Sequence, residues 1–152
     1  MPSGAPRRPF LFDVEIWALF WGSFLASTLL PGGSEALLTA LYLKSDWSGG
    51  MLWLVASVGN TLGGLLTFGM GRWFQVGVGV RESRHRFYVR AQRWLRRWGG
   101  PALLLSWVPL VGDPLCLAAG WSRLPWLSAL IWIFLGKAIR YGVLLVGLHM
   151  AA

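Results

Sequence analysis

The chain has 152 residues, of which 55% are hydrophobic and 13% charged, and its mean hydropathy is +0.54. Because so few charged residues cannot cover the surface of a soluble domain of this size, the composition excludes a soluble globular protein. It predicts an integral membrane protein. The net charge of +8 comes largely from arginines beside apolar runs, which favours anionic lipid over nucleic acid as the partner. Cys116 is the only cysteine, so neither an internal disulfide nor a cysteine metal site is expected, and no metal or cofactor is predicted.

The N-terminal residues 1–13 are rich in proline and arginine and are predicted to form a disordered tail. The apolar run that follows is about half as long again as one membrane span requires. Pro31, Gly32 and Gly33 interrupt it near its middle, and Glu35 comes directly after the interruption. Because a carboxylate at membrane depth is energetically costly, Glu35 is a candidate functional residue.

The next apolar run, residues 51–71, predicts a spanning helix about 31 Å long. Small residues recur every four positions along it and favour close packing of another helix: Gly59, Gly63, Thr67 and Gly71. Asn60 lies beside this small-residue ridge. An amide in the middle of a span needs a hydrogen-bond partner from another segment.

A basic amphipathic helix is predicted between the two apolar halves of the chain. Its apolar positions are Phe87, Ala91, Trp94 and Trp98, and the adjoining stripe is formed by Arg86, Arg90, Arg93 and Arg97. This pattern is typical of a helix that lies in the membrane interface with its arginines toward lipid phosphates. The bias of basic residues toward the cytoplasm predicts that this segment lies inside.

The second half repeats the pattern of the first. Its first apolar run is interrupted by a segment containing Pro109, Gly112 and Pro114, which also carries Asp113. A long span with Lys137 and Arg140 follows. We therefore predict a single membrane domain, residues 14–150, made of a first repeat 14–74, a basic linker helix 75–100 and a second repeat 101–150.

Two topologies fit this repeat. If both broken elements cross the membrane, the halves are parallel and both termini lie inside. If both are re-entrant hairpins, each half crosses once and the halves form an inverted repeat, an arrangement that places binding sites near the midplane of many transporters. Proline and glycine breaks at matching places favour the second topology. The expected fold is therefore all-α, with two broken re-entrant elements, each followed by a transmembrane helix.

The four charges inside the apolar runs nearly balance, since Glu35 and Asp113 oppose Lys137 and Arg140. Pairing is the economical explanation of buried charges of opposite sign. These residues either pin the helices together or serve as a substrate and proton site. The sequence does not decide between the two.

Several short motifs in order resemble the small YqaA-type members of the DedA family, in the VTT or SNARE-associated superfamily. They are Leu30-Pro-Gly-x-Ser-Glu35, Gly59-Asn-x-Leu-Gly-Gly64, Gly71-Arg72, Leu104-Leu-Ser-Trp-x-Pro109, Val111-Gly-Asp113, Ala119-Gly-Trp121 and Leu135-Gly-Lys-Ala-x-Arg-Tyr141. The resemblance implies a multi-pass protein of the bacterial inner membrane with two re-entrant hairpins in an inverted repeat. It also implies movement of lipids between leaflets and dependence on the proton gradient.

The chain departs from the family pattern at the second break. Larger DedA proteins carry arginines in a pattern like Arg-Phe-x-Pro-x-x-Arg, and the matching positions here are Ser106 and Gly112. Either the cations have moved to Lys137 and Arg140, or the substrate differs, or transport has been lost.

The favoured function is a lipid flippase or scramblase that works as a homodimer or with a partner. Glu35 and Asp113 would bind or relay protons, Lys137 and Arg140 would hold an anionic headgroup, and the arginine stripe would bind the lipid surface. The alternative is a scaffold without transport activity that docks partner helices on the small-residue ridge. An enzyme is not expected, because neither a zinc-type histidine pair nor a recognisable nucleophile setting is present.

Overall fold

The computed structural model describes residues 9–28, 32–45, 47–77, 86–108 and 111–151. All secondary structure within these ranges is helical, as predicted. The helices are α1 Pro9–Thr28, α2 Gly33–Lys44, α3 Gly49–Gly77, α4 Arg86–Trp98, a 3-10 helix Gly100–Trp107, α5 Gly112–Trp121 and α6 Trp126–Ala151. Pro31 and Pro109, and residues 1–8 of the predicted tail, lie outside the described ranges.

Prolines stand at or near the start of two helices. α1 begins at Pro9, inside the segment whose composition predicts a tail, and Pro114 lies in the first turn of α5. A proline costs little at either place, because the N–H groups of a first helical turn have no intrahelical acceptor. The second break therefore ends before Pro114.

Two helices are long and apolar enough to cross a membrane within the described residues, at Gly49–Trp73 in α3 and Trp126–Ala151 in α6. The apolar stretch Val14–Ser27 in α1 is shorter. α3 continues to Gly77, three residues into the predicted linker helix. Of that linker, α4 covers Arg86–Trp98.

The first half folds as a helical hairpin against α3. α1 runs in the same direction as α3, because Phe20 lies against Gly59 and Phe24 lies against Gly63. α2 then returns along α1, where Leu37 contacts Gly22. Since Gly63 is central in α3, the tip of this first hairpin reaches the middle of the long helix.

The second half has the same arrangement. The 3-10 helix runs in the direction of α6, because Gly100 lies against Trp132 and Ser106 lies against Gly136. α5 then turns back and packs on α3. The tip of this second hairpin therefore reaches the middle of α6.

Glycines allow the close approach of these helices to α3. A Cβ atom on Gly59 would lie 2.7 Å from the carbonyl oxygen of Phe20, and one on Gly63 would lie 2.7 Å from that of Phe24. Gly71 meets the carbonyl oxygen of Leu117 in α5. The predicted role of the small-residue ridge in close helix packing is confirmed, and both of its contact partners belong to the same chain.

α4 packs on α5 and the 3-10 helix. Among the side chains of α4 that the structure describes, which begin at Val89 and so leave out Arg86 and Phe87, Ala91 and Leu95 are buried, whereas Trp94 and Trp98 are 47% and 60% exposed. Of the predicted apolar stripe, Ala91 therefore packs on the protein; the predicted position of α4 in the membrane interface stays a prediction. Arg90, Arg93 and Arg97 are exposed, as expected for the polar face.

Candidate functional site

The described residues that flank the two breaks meet at a small polar cavity of about 10 Å³, which has room for roughly one water molecule. It is lined by Ala26, Ser27, Gly32, Ser34, Asn60, Val108, Gly112, Asp113, Lys137 and Arg140. Residues from both breaks and from both long helices thus contribute to one site. Asn60 and Lys137 each lie near the middle of a long helix.

Glu35 and Arg140 join the first hairpin to α6. Nε of Arg140 donates to Oε1 of Glu35 at 2.5 Å. The arginine side chain is 11% exposed and the glutamate side chain 34% exposed. Because Glu35 lies in the first turn of α2, its negative charge also interacts favourably with the positive end of the helix dipole.

Asp113 and Lys137 form the corresponding pair in the second half. Nζ of Lys137 lies 3.7 Å from Oδ1 of Asp113, and the lysine side chain is only 3% exposed. Ser27, at the end of α1, donates to the same carboxylate oxygen at 3.4 Å. Asp113 therefore contacts both halves of the chain.

Both returning helices start at the cavity without a side-chain cap. The N-cap of α2 is Gly32, whose φ of 95° suits glycine, and the N-cap of α5 is Val111. Neither helix has a side-chain hydrogen bond at its cap. Two helix N-termini, which attract negative charge, therefore converge where Glu35 and Asp113 lie.

Tyr141 links three helices beside the ion pairs. Its hydroxyl accepts a hydrogen bond from Nδ2 of Asn60 at 2.6 Å and donates one to Oγ of Ser34 at 2.8 Å. Tyr141 is fully buried. Asn60 thus has the partner from another segment that its position in the span predicts, while its Oδ1 has no hydrogen-bond partner among the described residues.

The structure brings most of the predicted site residues together. Glu35, Asp113, Lys137 and Arg140 are paired as expected, and Asn60 lines the same cavity; their roles in proton and headgroup binding stay predictions. Of the arginines of α4, Arg90 lines a separate pocket together with Trp94 and Leu115 and is not among the residues that line the polar cavity.

Tyr141 and Ser34 are not among the site residues that the sequence predicts. The available signal was helical spacing, because Lys137, Arg140 and Tyr141 fall at i, i+3 and i+4 and share one face of α6.

The positions where larger DedA proteins carry arginines, Ser106 and Gly112 in this chain, are tightly packed. Ser106 is fully buried, and a Cβ atom on Gly112 would contact the carbonyl oxygen of Ser106. The Ser106 hydroxyl faces Gly136, next to Lys137. An arginine at position 106 or 112 would not fit this packing, and the cations at the cavity come from α6 instead.

Comparison with known proteins gives consistent matches. The VTT domain model matches residues 30–150. Inner membrane protein YqaA of Escherichia coli is 44% identical over 128 residues, which cover 84% of this chain and 87% of that protein. An uncharacterized protein of Haemophilus influenzae is 39% identical, with 88% of this chain and 91% of that protein covered. No solved structure matches the chain.

Proposed function

The chain belongs to the DedA family of VTT-domain proteins. We propose that it moves lipids with anionic headgroups between the leaflets of a bacterial inner membrane. The observation that carries this proposal is that Asp113, Lys137 and Arg140 line one cavity, where two uncapped helix N-termini also meet, while Glu35 pairs with Arg140 beside it. Charged groups within membrane-spanning segments commonly mark ion or substrate paths. Helix N-termini aimed at a midplane site are a recurrent way to bind anionic substrates in transporters.

In the proposed topology, both hairpins are re-entrant and the halves form an inverted repeat. Three helices are too short to cross a hydrocarbon core of about 30 Å, since α2, α5 and the 3-10 helix are only about 15 to 18 Å long. The return of α2 along α1 and of α5 from the second tip supports this topology. Irregular backbone at membrane depth requires burial or a wet cavity, and Gly32, Val108 and Gly112, which flank the two breaks, line the polar cavity.

In the proposed mechanism, the lipid headgroup binds a cation of the site, and the carboxylate that was paired with that cation takes up a proton. The four charges cancel when both pairs are closed. A phosphodiester headgroup that binds Lys137 or Arg140 adds about one negative charge, and protonation of Glu35 or Asp113 restores neutrality. A cavity with room for one water does not admit a phosphate, so the hairpin tips separate when the headgroup enters.

The arginines of α4 are proposed to gather anionic lipid at the membrane surface. Arg90, Arg93 and Arg97 are exposed on a helix that packs against the second hairpin. Basic residues near an anionic surface contribute about 1 kcal/mol each. A homodimer, or a complex with a partner, is proposed because the short hairpins of one chain enclose little volume.

A lipid-translocation assay in proteoliposomes tests the function. Lys137→Ala and Arg140→Ala should each slow translocation of a fluorescent phosphatidylglycerol by about tenfold or more, because each removes a charge-assisted hydrogen bond to phosphate. Lys44→Ala, at the exposed end of α2, is the matched control and should translocate at the wild-type rate. Equal rates for all four proteins would refute the proposal.

The scaffold hypothesis receives less support. It requires a free ridge for a partner helix, but Gly59 and Gly63 are covered by α1 and Gly71 is covered by α5. Glu35→Gln separates the two functions, because a scaffold would keep its partner while a transporter would change its rate.

A further inference from the structure

A long apolar groove lies outside the polar cavity, on the part of α3 that extends beyond the tip of the first hairpin. Its volume is about 840 Å³, and its walls include Phe24, Leu62, Leu66, Met70, Trp73 and Trp126. The groove exists because α1 ends near the middle of α3, so the second half of α3 has no α1 beside it. Gly69 deepens it, since a Cβ atom there would press on the Trp126 ring at 3.1 Å.

The groove has the length of one membrane leaflet. Leu62 and Trp73 are eleven residues apart on a continuous helix, which corresponds to about 16 Å. Half of a typical hydrocarbon core is about 15 Å. The inner end of the groove lies near Asn60, at the depth of the polar cavity, and its outer end carries two tryptophans, which prefer the headgroup level.

A cation is fixed at the outer end. One NH group of Arg72 donates to the carbonyl oxygen of Leu124 at 3.0 Å, and the guanidinium carbon lies 5.9 Å from the centre of the Trp126 ring. A guanidinium has five N–H donors, so the bond to Leu124 orients the group without exhausting them. Arg123, one residue before Leu124, is also exposed.

We propose that this groove binds an anionic phospholipid, with one acyl chain along α3 from Trp73 to Leu62 and the phosphate at Arg72. The inference rests on the proposed function and deepens it, because the chain end of the bound lipid lies at the depth of the cavity whose residues would take its headgroup. The site belongs to the leaflet at the C-terminal end of α3. It is a binding site in its own right, so it stands even if translocation does not occur.

Native mass spectrometry of the purified full chain tests this site with three probes. They are phosphatidylglycerol, phosphatidylcholine with the same acyl chains, and glycerol 3-phosphate, which has no chain. The wild type should retain one phosphatidylglycerol in preference to phosphatidylcholine, and excess glycerol 3-phosphate should not displace it. Equal retention of the two lipids, or displacement by glycerol 3-phosphate, would overturn the proposal.

Groove-filling variants locate the bound chain. Leu66 and Met70 are about half exposed within the groove, so Leu66→Trp and Met70→Trp should each reduce phosphatidylglycerol retention by about tenfold or more. Leu54→Trp, at an exposed position of α3 outside the groove, should retain the lipid as the wild type does. Arg72→Gln should abolish the preference for phosphatidylglycerol over phosphatidylcholine.

Two results would overturn the proposal at this stage. One is wild-type retention in both filled variants, with folding confirmed by circular dichroism. The other is a changed monomer–dimer ratio in the filled variants without a change in lipid retention, which would assign the groove to a second copy of the chain. Lys137→Ala should keep the lipid in the groove even where it slows translocation. The groove proposal and the translocation proposal can therefore fail independently of each other.

Discussion

Glu35 and Arg140 are 105 residues apart in the chain, yet the Nε and Oε1 atoms of the two side chains are 2.5 Å apart. This ion pair joins the first turn of α2 in the first half to the middle of α6 in the second. Asp113 and Lys137 lie beside the same cavity and join α5 to α6. The two halves are therefore held together by charge at the depth where both hairpins turn.

Removing one partner of the Glu35–Arg140 pair should cost more than removing both. Arg140→Gln leaves Glu35 without its positive partner, and we expect a loss on the order of 3 kcal/mol. The double variant Glu35→Gln/Arg140→Gln should recover part of that loss, because neither charge remains. Thermal unfolding in detergent measures both. A double variant less stable than Arg140→Gln would contradict this expectation.

Tyr141→Phe should destabilise the fold although it removes a single oxygen atom. Asn60 and Ser34 both lose a buried hydrogen-bond partner, at a cost of about 1 to 3 kcal/mol. Tyr42→Phe is the matched control, because the Tyr42 hydroxyl makes only an exposed contact of 3.4 Å with His149. Equal melting temperatures for the two variants would argue against the Tyr141 network.

Gly120→Ala should be among the most damaging single-methyl changes. A Cβ atom at this position would collide with the carbonyl oxygen of Phe68, and both groups are backbone-anchored. Overpacking of this kind costs about 1 to 3 kcal/mol. Gly147→Ala has no atom within 4 Å of the new Cβ and should stabilise α6 by about 0.5 to 1 kcal/mol. Denaturation in detergent should give opposite signs for the two changes.

The side of the membrane on which α4 and the C-terminus lie tests the re-entrant topology. With two crossings by α3 and α6, Ala151 and Arg93 should lie on opposite sides. Single cysteines at these positions, in a Cys116→Ser background, can be labelled with a membrane-impermeant maleimide in intact cells. Labelling of both positions from the same side would instead indicate that the broken elements also cross.

Glu35→Gln should uncouple translocation from the proton gradient. The amide cannot take up a proton, so a pH gradient across the proteoliposome should no longer accelerate lipid movement. Downhill movement should continue, because Lys137 and Arg140 still provide positive charge. The measurement is the ratio of rates with and without the gradient. An unchanged ratio in Glu35→Gln would exclude this carboxylate as the coupling group.

The charged centre could be predicted from sequence because buried charges require partners. Four ionisable residues in apolar runs, two of each sign, leave few ways to satisfy that requirement. Tyr141 and Ser34 could not be singled out in the same way, because hydroxyl groups can be satisfied locally and carry no such requirement. Their contacts depend on how α2 docks against α6, which is a tertiary relationship.

The side of α4 that packs on the protein could not be predicted for a similar reason. The helical period indicates an apolar side, but the choice between Leu95 and the neighbouring tryptophans depends on the shape of α5 and the 3-10 helix. Trp94 and Trp98 are amphipathic and tolerate an interfacial position. The groove beyond the first hairpin was also not predictable, because it results from the level at which α1 ends relative to α3.

Both cations of the charged centre come from α6, three residues apart on one face of a continuous helix. A rigid helix moves such residues together, so a small rotation of α6 about its axis would draw Arg140 from Glu35 and Lys137 from Asp113 in the same step. The two hairpins are therefore coupled through one helix, so a movement of α6 acts on both ion pairs.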